Sequence, residues 1–225
     1  MMHMKKHISF LISIVFSVLI FSHAPIISNM SGADIYNAIP INDIQISQVL
    51  YKVLEKDGNF VWLTFQAKEG ESLYFQVGTP KTDKYKELKP AVAIVGPGLP
   101  KTNNLPFQIP HGMGALLFES SDTPQTFYEP VTDTNSWIHI TKTITLPETG
   151  KYYIVGYFPP NGQAGNLFIA VGKIERFTWQ DIVNVFKILP EIRAFYGLSG
   201  LPGWMNVVIG LSLISLLALF VYFFR

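Results

Sequence analysis

The apolar run at residues 207–224 constrains the fold of this chain more than any other feature. It reads VVIGLSLISLLALFVYFF and contains no charged residue. A helix of about eighteen such residues is roughly long enough to cross the ~30 Å hydrocarbon core of a bilayer. Trp204 and Tyr222 fall where aromatic rings favour the two headgroup levels. We therefore expect a transmembrane helix over residues 204–224, with the preceding chain held against the membrane.

A second apolar run lies near the start of the chain. Lys5 and Lys6 precede the apolar residues 8–21, which is typical of a secretory signal peptide. Small residues allow cleavage after Ala24 or after Ala33, and an uncleaved segment would remain as an N-terminal anchor. We assign residues 1–24 to this signal peptide or anchor.

Both N-terminal alternatives predict the same orientation. Basic residues near a membrane span favour the cytoplasmic face, so Lys5, Lys6 and Arg225 are expected inside the cell and the middle of the chain outside it. The expected location is the cell membrane, with a single pass after cleavage and two passes without it. The C-terminus is expected to be cytoplasmic.

The charge of the middle region limits its partners. Residues 34–175 contain 14 acidic residues against 11 lysines, a net charge of −3. A nucleic-acid-binding domain would need clustered basic residues, so no nucleic-acid partner is expected. The chain has no cysteine, which excludes disulfides and thiolate chemistry. The expected partners are membrane lipid and another envelope or membrane protein.

The pattern of residues 47–175 is that of short strands. Residues 25–46 show no clear period and are predicted to be a linker. Beyond them, apolar residues alternate with polar ones or form short apolar runs bounded by Gly, Pro, Asn and Asp. About eight or nine strands are predicted, eight of them over residues 49–53, 61–67, 73–77, 91–95, 113–118, 137–146, 152–158 and 167–171. Short strands without intervening helices predict a mainly β fold, specifically a β-sandwich.

Two stretches carry a family resemblance. ITLPETGKYYIVGYF (residues 144–158) and GESLYFQV (residues 70–77) resemble the bacterial and archaeal pre-peptidase C-terminal type of domain, in which a strand, a Pro-x-x-Gly turn and a Tyr-Tyr strand recur. The resemblance implies a jelly-roll-like sandwich and an adhesive or accessory role. This chain departs from the family because no enzyme is attached to the domain.

The spacing of residues 177–197 predicts an amphipathic juxtamembrane helix. Thr178 is a plausible N-cap with Asp181 at the third helical position, and Pro190 is expected to kink or restart the helix. The helix either lies in the membrane interface or caps the open end of the sandwich, and we favour the interface. The residues expected at that interface are Trp179, Ile182, Phe186, Lys187, Leu189, Arg193 and Trp204.

Acidic side chains fall between two predicted strands, together with serine and asparagine residues. Hard oxygen ligands gathered on a loop are what Ca²⁺ requires, although the D-x-D-x-D-G spacing is missing and a solvated acidic loop is the commoner case. The candidate calcium ligands are Glu119, Asp122, Glu129 and Asp133. No other cofactor is expected.

Aromatic residues flank the acidic loop. Exposed aromatic rings beside hydrogen-bonding groups mark sugar or protein contacts. Phe127, Tyr128 and Trp137 are therefore the candidate partner-binding residues.

Catalytic chemistry finds little support in the sequence. His111, His139 and Met113 offer ligand types that suit Cu(I), but no spacing supports a site, and the polar phase of His139 predicts a surface residue. No G-x-S-x-G motif is present. We expect a non-enzymatic binding or accessory module, for example a subunit of a membrane complex. The alternative is a calcium-dependent or carbohydrate-binding cell-surface module, and an envelope hydrolase ranks third.

Overall fold

The computed structural model describes residues 23–56, 60–102, 104–159, 164–176 and 179–224. The mainly β fold predicted from the sequence is confirmed, and each of the eight predicted strands has a counterpart. The described strands are β1 (Ala24–Pro25), β2 (Ile39–Pro40), β3 (Gln48–Leu54), β4 (Val61–Ala67), β5 (Ser72–Pro80), β6 (Ala91–Gly96), β7 (Gly114–Glu119), β8 (Gln125–Glu129), β9 (Thr134–Thr145), β10 (Gly150–Tyr157) and β11 (Gly165–Val171). Two helices follow, α1 (Trp179–Phe195) and α2 (Gly203–Phe223).

The strands form two sheets that pack face to face. One has the order β1-β3-β11-β5-β9-β8 and the other β2-β4-β10-β6-β7. Neighbouring strands are antiparallel except for the β1–β3 and β2–β4 pairs. Side chains from both sheets meet in one core, where Leu63, Phe75, Ile94 and Leu167 are fully buried. The alternation that predicted the strands is the alternation between this core and the outer faces.

Tyr152 is the largest fully buried side chain of the core. Its ring stacks on that of Phe65 with centroids 5.7 Å apart, and its hydroxyl donates to the Glu148 carbonyl at 2.7 Å. Gly96 leaves room for the ring, because a Cβ at this position would lie 2.1 Å from a Tyr152 ring atom. A backbone carbonyl of the Pro-x-x-Gly turn thus accepts the hydrogen bond that the hydroxyl of a buried tyrosine requires.

Residues 25–46, which the sequence predicts to be a linker, pack into the domain. Their strands β1 and β2 each pair with one neighbour over only two residues, and Ile39, Ile41 and Ile44 are buried in the main core. Pairings this short give no period in the sequence, because a two-residue strand cannot alternate. The segment is therefore part of the sandwich.

His139 is buried, and the prediction that it is a surface residue is wrong. The register between β5 and β9 shifts at Val77/Gly78, where the paired residues change from Ile140 to Ile138. His139 is the extra residue of this bulge, and a bulge breaks the alternation on which the prediction rested. Its Nε2 lies 3.1 Å from the Thr79 hydroxyl, and burial lowers the pKa of His139 to about 4.

The two helices agree in extent with the helical segments expected from the sequence. Helix α1 contains Pro190 within a single helical segment, whereas the proposed N-cap Thr178 and most of the predicted signal peptide, residues 1–22, lie outside the described residues. Helix α2 is 21 residues long. Over the described part of the chain, no helix is both long enough and apolar enough to cross a membrane.

The stacked pair of Phe65 and Tyr152 gives a test of the core. Phe65→Ala should lower the free energy of unfolding by about 3–5 kcal/mol, because it removes a buried ring and leaves a cavity. Gln66→Ala changes the neighbouring, exposed residue and should cost less than about 0.5 kcal/mol. Denaturant unfolding of the two variants measures the difference, and equal losses would show that the assigned strand face is wrong.

Candidate functional site

The turn between β8 and β9, residues 130–133, is where both C-terminal helices attach to the sandwich. Its backbone carbonyls face Arg193 near the end of α1 and Trp204 at the start of α2. We call this turn, together with Arg193 and residues 199–204, the junction.

Arg193 is the centre of the junction and is only 7% exposed. Its Nη1 donates to the Thr132 carbonyl at 2.7 Å, and its Nε donates to the Gly200 carbonyl at 2.8 Å. Longer contacts join the guanidinium to the Ser199 carbonyl and to the Asp133 carboxylate, at 3.4 and 3.9 Å. A buried guanidinium with this many acceptors holds α1, the connection to α2 and the β8–β9 turn in one arrangement.

Asp133 fixes the first residue of α2. One carboxylate oxygen accepts the Gly203 N–H at 3.1 Å, and the other accepts the Tyr128 hydroxyl at 2.9 Å. These two hydrogen bonds hold the pKa of Asp133 below its usual value, and the one from Gly203 has the larger effect on that pKa. A carboxylate at a helix N-terminus also interacts favourably with the helix dipole. The backbone of Asp133 has a positive φ of 54°, a conformation that aspartate adopts more readily than most residues.

Gly197 ends α1 and turns the chain towards α2. Its φ is +73°, the Leu198 N–H donates to the Arg193 carbonyl at 2.8 Å, and the Gly197 N–H donates to the Ala194 carbonyl at 2.9 Å. This is the Schellman arrangement, which needs a left-handed residue after the helix. Only residues 196–202 separate the two helices, so the cap sets the direction in which the chain approaches the junction.

Glu129 is buried directly beneath the junction. Its carboxylate accepts the Val131 N–H at 3.3 Å, and the Val131 carbonyl in turn accepts the Trp204 indole N–H at 3.0 Å. Burial raises the pKa of Glu129 to about 7, so the carboxyl changes its charge near neutral pH. It lies beside a cavity of about 20 Å³. The cavity is also lined by His23, Tyr51, Gln76, Phe127, Ser136, Ile138 and Tyr196.

The end of α1 packs on the outer face of the six-stranded sheet. The Tyr196 hydroxyl and the Ser136 hydroxyl are 2.8 Å apart, and the ring centroids of Phe195 and Tyr51 are 5.2 Å apart. Burial raises the pKa of Tyr196 to about 12, so this tyrosine stays neutral and able to donate. Helix α1 therefore belongs to the folded domain along its C-terminal half.

The residues predicted to lie in the membrane interface divide into four groups. Leu189 and Arg193 are buried against the sandwich, so their predicted contact with lipid is not what the structure shows. Trp204 is partly buried and bonded to the β8–β9 turn, whereas Phe186 and Lys187 are exposed. The side chains of Trp179 and Ile182 lie outside the described part. Helical spacing alone could not tell which surface, lipid or protein, would cover the apolar face.

The four predicted calcium ligands do not come together. Asp122 forms an exposed ion pair with Lys89 at 2.6 Å, Glu119 is exposed at the end of β7, and Glu129 and Asp133 serve the junction. Among the described residues, no group of three or more His, Asp or Glu side chains is placed to hold a metal ion. His111 is exposed on a separate turn from the buried His139. The residues described thus offer no assembled metal site.

The three predicted partner-binding aromatics do not form one patch. In the β8–β9 register Phe127 is opposite Ser136, while Tyr128 is opposite Asn135 and Thr126 is opposite Trp137. Tyr128 and Trp137 therefore share one face of this strand pair and Phe127 lies on the other. Phe127 and Tyr128 are exposed and Trp137 is half-buried, and the Tyr128 hydroxyl is engaged by Asp133.

The sequence did not predict the junction, because its residues were assigned to three different predicted sites. Asp133 counted as a calcium ligand, Tyr128 as a partner contact, and Arg193 and Trp204 as interface residues. The one sequence feature that indicates a tight helix connection is Gly-x-x-Gly-x-Pro at residues 197–202. Its glycines have positive φ, and the proline precedes α2.

The comparisons with known proteins leave the family open. No protein-family model matches the chain, and no curated protein matches it. One solved structure that does match is CorA of Methylomicrobium album BG8, described as a surface-associated copper-binding protein important in copper acquisition. It is 13% identical, the alignment covers 67% of this chain and 100% of that chain, and the TM-score is 0.33. A likeness this low carries no argument about fold or function.

Removing the guanidinium should loosen the junction. Arg193→Met leaves the buried Thr132 carbonyl and the partly buried Gly200 carbonyl without their donor, and we expect a loss of about 2–4 kcal/mol in the free energy of unfolding. Lys187→Met removes an exposed cation from the same helix and should change stability by less than about 0.5 kcal/mol. Denaturant unfolding of the full chain in mild detergent measures both, and an equally small effect of the two variants would contradict a structural role for Arg193.

Glu129 should make stability depend on pH in a defined window. Its pKa is raised on folding from 4.5 to about 7, so the folded state binds more protons than the unfolded state between these values. Stability contributed by the neutral carboxyl is therefore present below pH ~4.5 and is lost as the pH rises through ~7. His139 acts in the opposite direction between pH ~4 and ~6.5, because its pKa falls on folding.

Glu129→Gln isolates the contribution of Glu129. The variant should gain stability relative to the parent as the pH rises from 4.5 to 8, reaching about 3 kcal/mol. The exposed Glu119→Gln serves as the control and should show no such gain. Urea unfolding at pH 4.5, 6 and 8 measures the difference, and a gain independent of pH would mean that Glu129 is ionised throughout.

Proposed function

We propose that this chain is a non-enzymatic accessory module anchored in a membrane through α2, with its sandwich outside the cytoplasm. The observation that carries the proposal is the exposure of apolar side chains around α2. Ile214 and Leu217 are 66% and 67% exposed, and Leu213 and Leu216 are exposed to similar extents. Successive residues of a helix are ~100° apart, so Leu216, Leu217 and Leu211, the last of which is 47% exposed, lie at about 0°, 100° and 220° around the axis and point to different sides. A helix that is apolar on every side requires an apolar surrounding, and the sandwich does not provide it.

The junction supports an orienting role for the anchor. The first two residues of α2, Gly203 and Trp204, are hydrogen-bonded to the β8–β9 turn. Arg193 is hydrogen-bonded to the connection that precedes α2. A domain tethered by a flexible linker would need none of these contacts. We infer that the sandwich is held at a fixed angle to the membrane, as suits a subunit that presents one surface to a neighbouring membrane protein.

The remaining parts of the proposal rest on the sequence. The basic start followed by an apolar segment supports export, and the Pro-x-x-Gly and Tyr-Tyr strands support a jelly-roll-like accessory domain. The lack of a nucleophile motif supports a non-enzymatic role. The partner that we expect is another envelope or membrane protein, with lipid around α2.

Membrane retention tests the anchor. Leu217→Arg places a charge in the middle of α2, where it should oppose insertion, and the variant should leave the carbonate-washed membrane fraction several-fold more readily than the parent. Leu198→Arg introduces the same charge at an exposed apolar position outside α2 and should stay in the membrane. Equal retention of the two variants would contradict insertion of α2.

Labelling of introduced cysteines tests the orientation. The chain contains no cysteine, so Lys84→Cys on the exposed turn after β5 provides a single thiol. It should react with a membrane-impermeant maleimide in intact cells, whereas Arg225→Cys should react only after lysis. The reverse pattern would place the sandwich in the cytoplasm and overturn this part of the proposal.

A further inference from the structure

An apolar groove of about 560 Å³ runs along one edge of the sandwich. One wall is the chain from Pro25 to Met30, which we call the strap, the floor is β3, and the other wall is the C-terminal half of α1. The volume lies within the ~300–1,000 Å³ typical of sites for small ligands.

The path of the strap creates the groove. Strand β1 pairs only with Gln48 and Val49 of β3, and the Ile26 N–H makes the last bond to the Val49 carbonyl at 2.8 Å. Beyond this point the strap leaves β3 and returns at Ser31, whose carbonyl accepts a hydrogen bond from Lys52 Nζ at 2.6 Å. The edge of β3 after Val49 is therefore left open between two fixed points.

Large apolar side chains are exposed along this groove. Ile27, Val53 and Met30, all of which line it, are 59%, 58% and 39% exposed. Ile188 and Phe195 of α1 are half-buried on the opposite wall. Scattered exposed apolar residues need no explanation, but a contiguous lining of this kind marks a site that binds an apolar ligand.

The polar groups at the groove are largely engaged within the protein. Lys52 bonds to Ser31, and the Asn166 side-chain amide donates to the Phe195 carbonyl. Ser28 and Glu191 also line the groove. Apart from these polar groups the lining is aliphatic and aromatic, which suits a chain of methylene groups better than a charged or sugar ligand.

We propose that the groove holds one acyl chain of a membrane lipid. This inference rests on the proposed membrane anchor, because α1 forms a wall of the groove and only residues 196–202 separate it from α2. Burying a lipid chain along Ile27, Val53 and Phe195 would remove their exposed apolar surface from water. A lipid chain in the groove would contact both the strap and α1. Helix α1 would then be held by this lipid contact as well as by the junction at Arg193.

The lack of native cysteine allows a direct test with the full-length protein. Val53→Cys carries a bimane fluorophore in the groove, and Leu117→Cys carries it on a strand of the other sheet, where the residue is 37% exposed. Each labelled protein is reconstituted into phosphatidylcholine–phosphatidylglycerol vesicles whose acyl chains are brominated. We expect bromine to quench the label at position 53 several-fold more than the label at position 117.

A variant that fills the groove distinguishes occupancy from mere closeness to the bilayer. Ala194 is exposed and lines the groove, so Ala194→Trp should exclude the lipid chain and reduce quenching at position 53 to the level at position 117. Met30→Trp is the second filling variant should the first lower the melting temperature. Quenching that persists in a folded, filled variant would overturn the proposal.

Failure of this inference is separable from failure of the proposed anchor. If the labelled protein sediments with the vesicles but positions 53 and 117 are quenched equally, the groove does not take a lipid chain and the anchor stands. Protection of position 53 from aqueous iodide without quenching by bromine would instead indicate a polypeptide in the groove, which also overturns the lipid assignment. If the protein does not sediment with vesicles at all, the anchor itself fails.

Discussion

The buried guanidinium of Arg193 is the contact on which the arrangement of the C-terminal half depends. Burial of a cation is costly because it loses its hydration, and here backbone carbonyls of the β8–β9 turn and of the connection to α2 replace that hydration. The Asp133 carboxylate nearby balances the charge. Since some acceptors lie about sixty residues before Arg193 in the chain and others follow it, the cation can be satisfied only when these segments have come together. The contact therefore selects one arrangement of helix and sandwich, even where its net contribution to stability is small.

Most of the strands could be predicted from the sequence, whereas two features of the sandwich could not. The eight strands were predicted either from alternation, which follows from burial of one face and is seen from Leu63 to Ala67 in β4, or from a continuous apolar run, as in β6, which is buried on both faces. Residues 25–46 were misread as a linker because β1 and β2 are each two residues long. His139 was misplaced because it is the extra residue of a bulge in β9, opposite Val77 and Gly78, which inverts the alternation. In each case the error lies where the local pattern is broken by a contact with a strand distant in sequence.

The candidate site shows the same limit more strongly. Glu129 and Asp133 have the composition expected of a calcium loop, but composition does not tell whether a carboxylate will meet a metal, a backbone N–H or a tyrosine hydroxyl. The hairpin register places Phe127 and Tyr128 on opposite faces of the strand pair, and only that register shows that they cannot act as one patch. The polar groups of the β8–β9 turn instead form the hydrogen bonds that attach two helices to the sandwich. No sequence motif describes such an attachment.

The position of the strap has a consequence for maturation of the protein. Of the two cleavage positions that the sequence allows, cutting after Ala24 would leave residues 25–31 in place, with Ile26 bonded to β3 and Ser31 bonded to Lys52. Cutting after Ala33 would remove one wall of the groove and also expose the edge of β3 at Gln48 and Val49, which β1 covers. If the proposed signal peptide is cleaved, the position of the cut would thus decide whether the domain keeps the strap beside β3 or presents a bare strand edge, which is available for pairing with another chain.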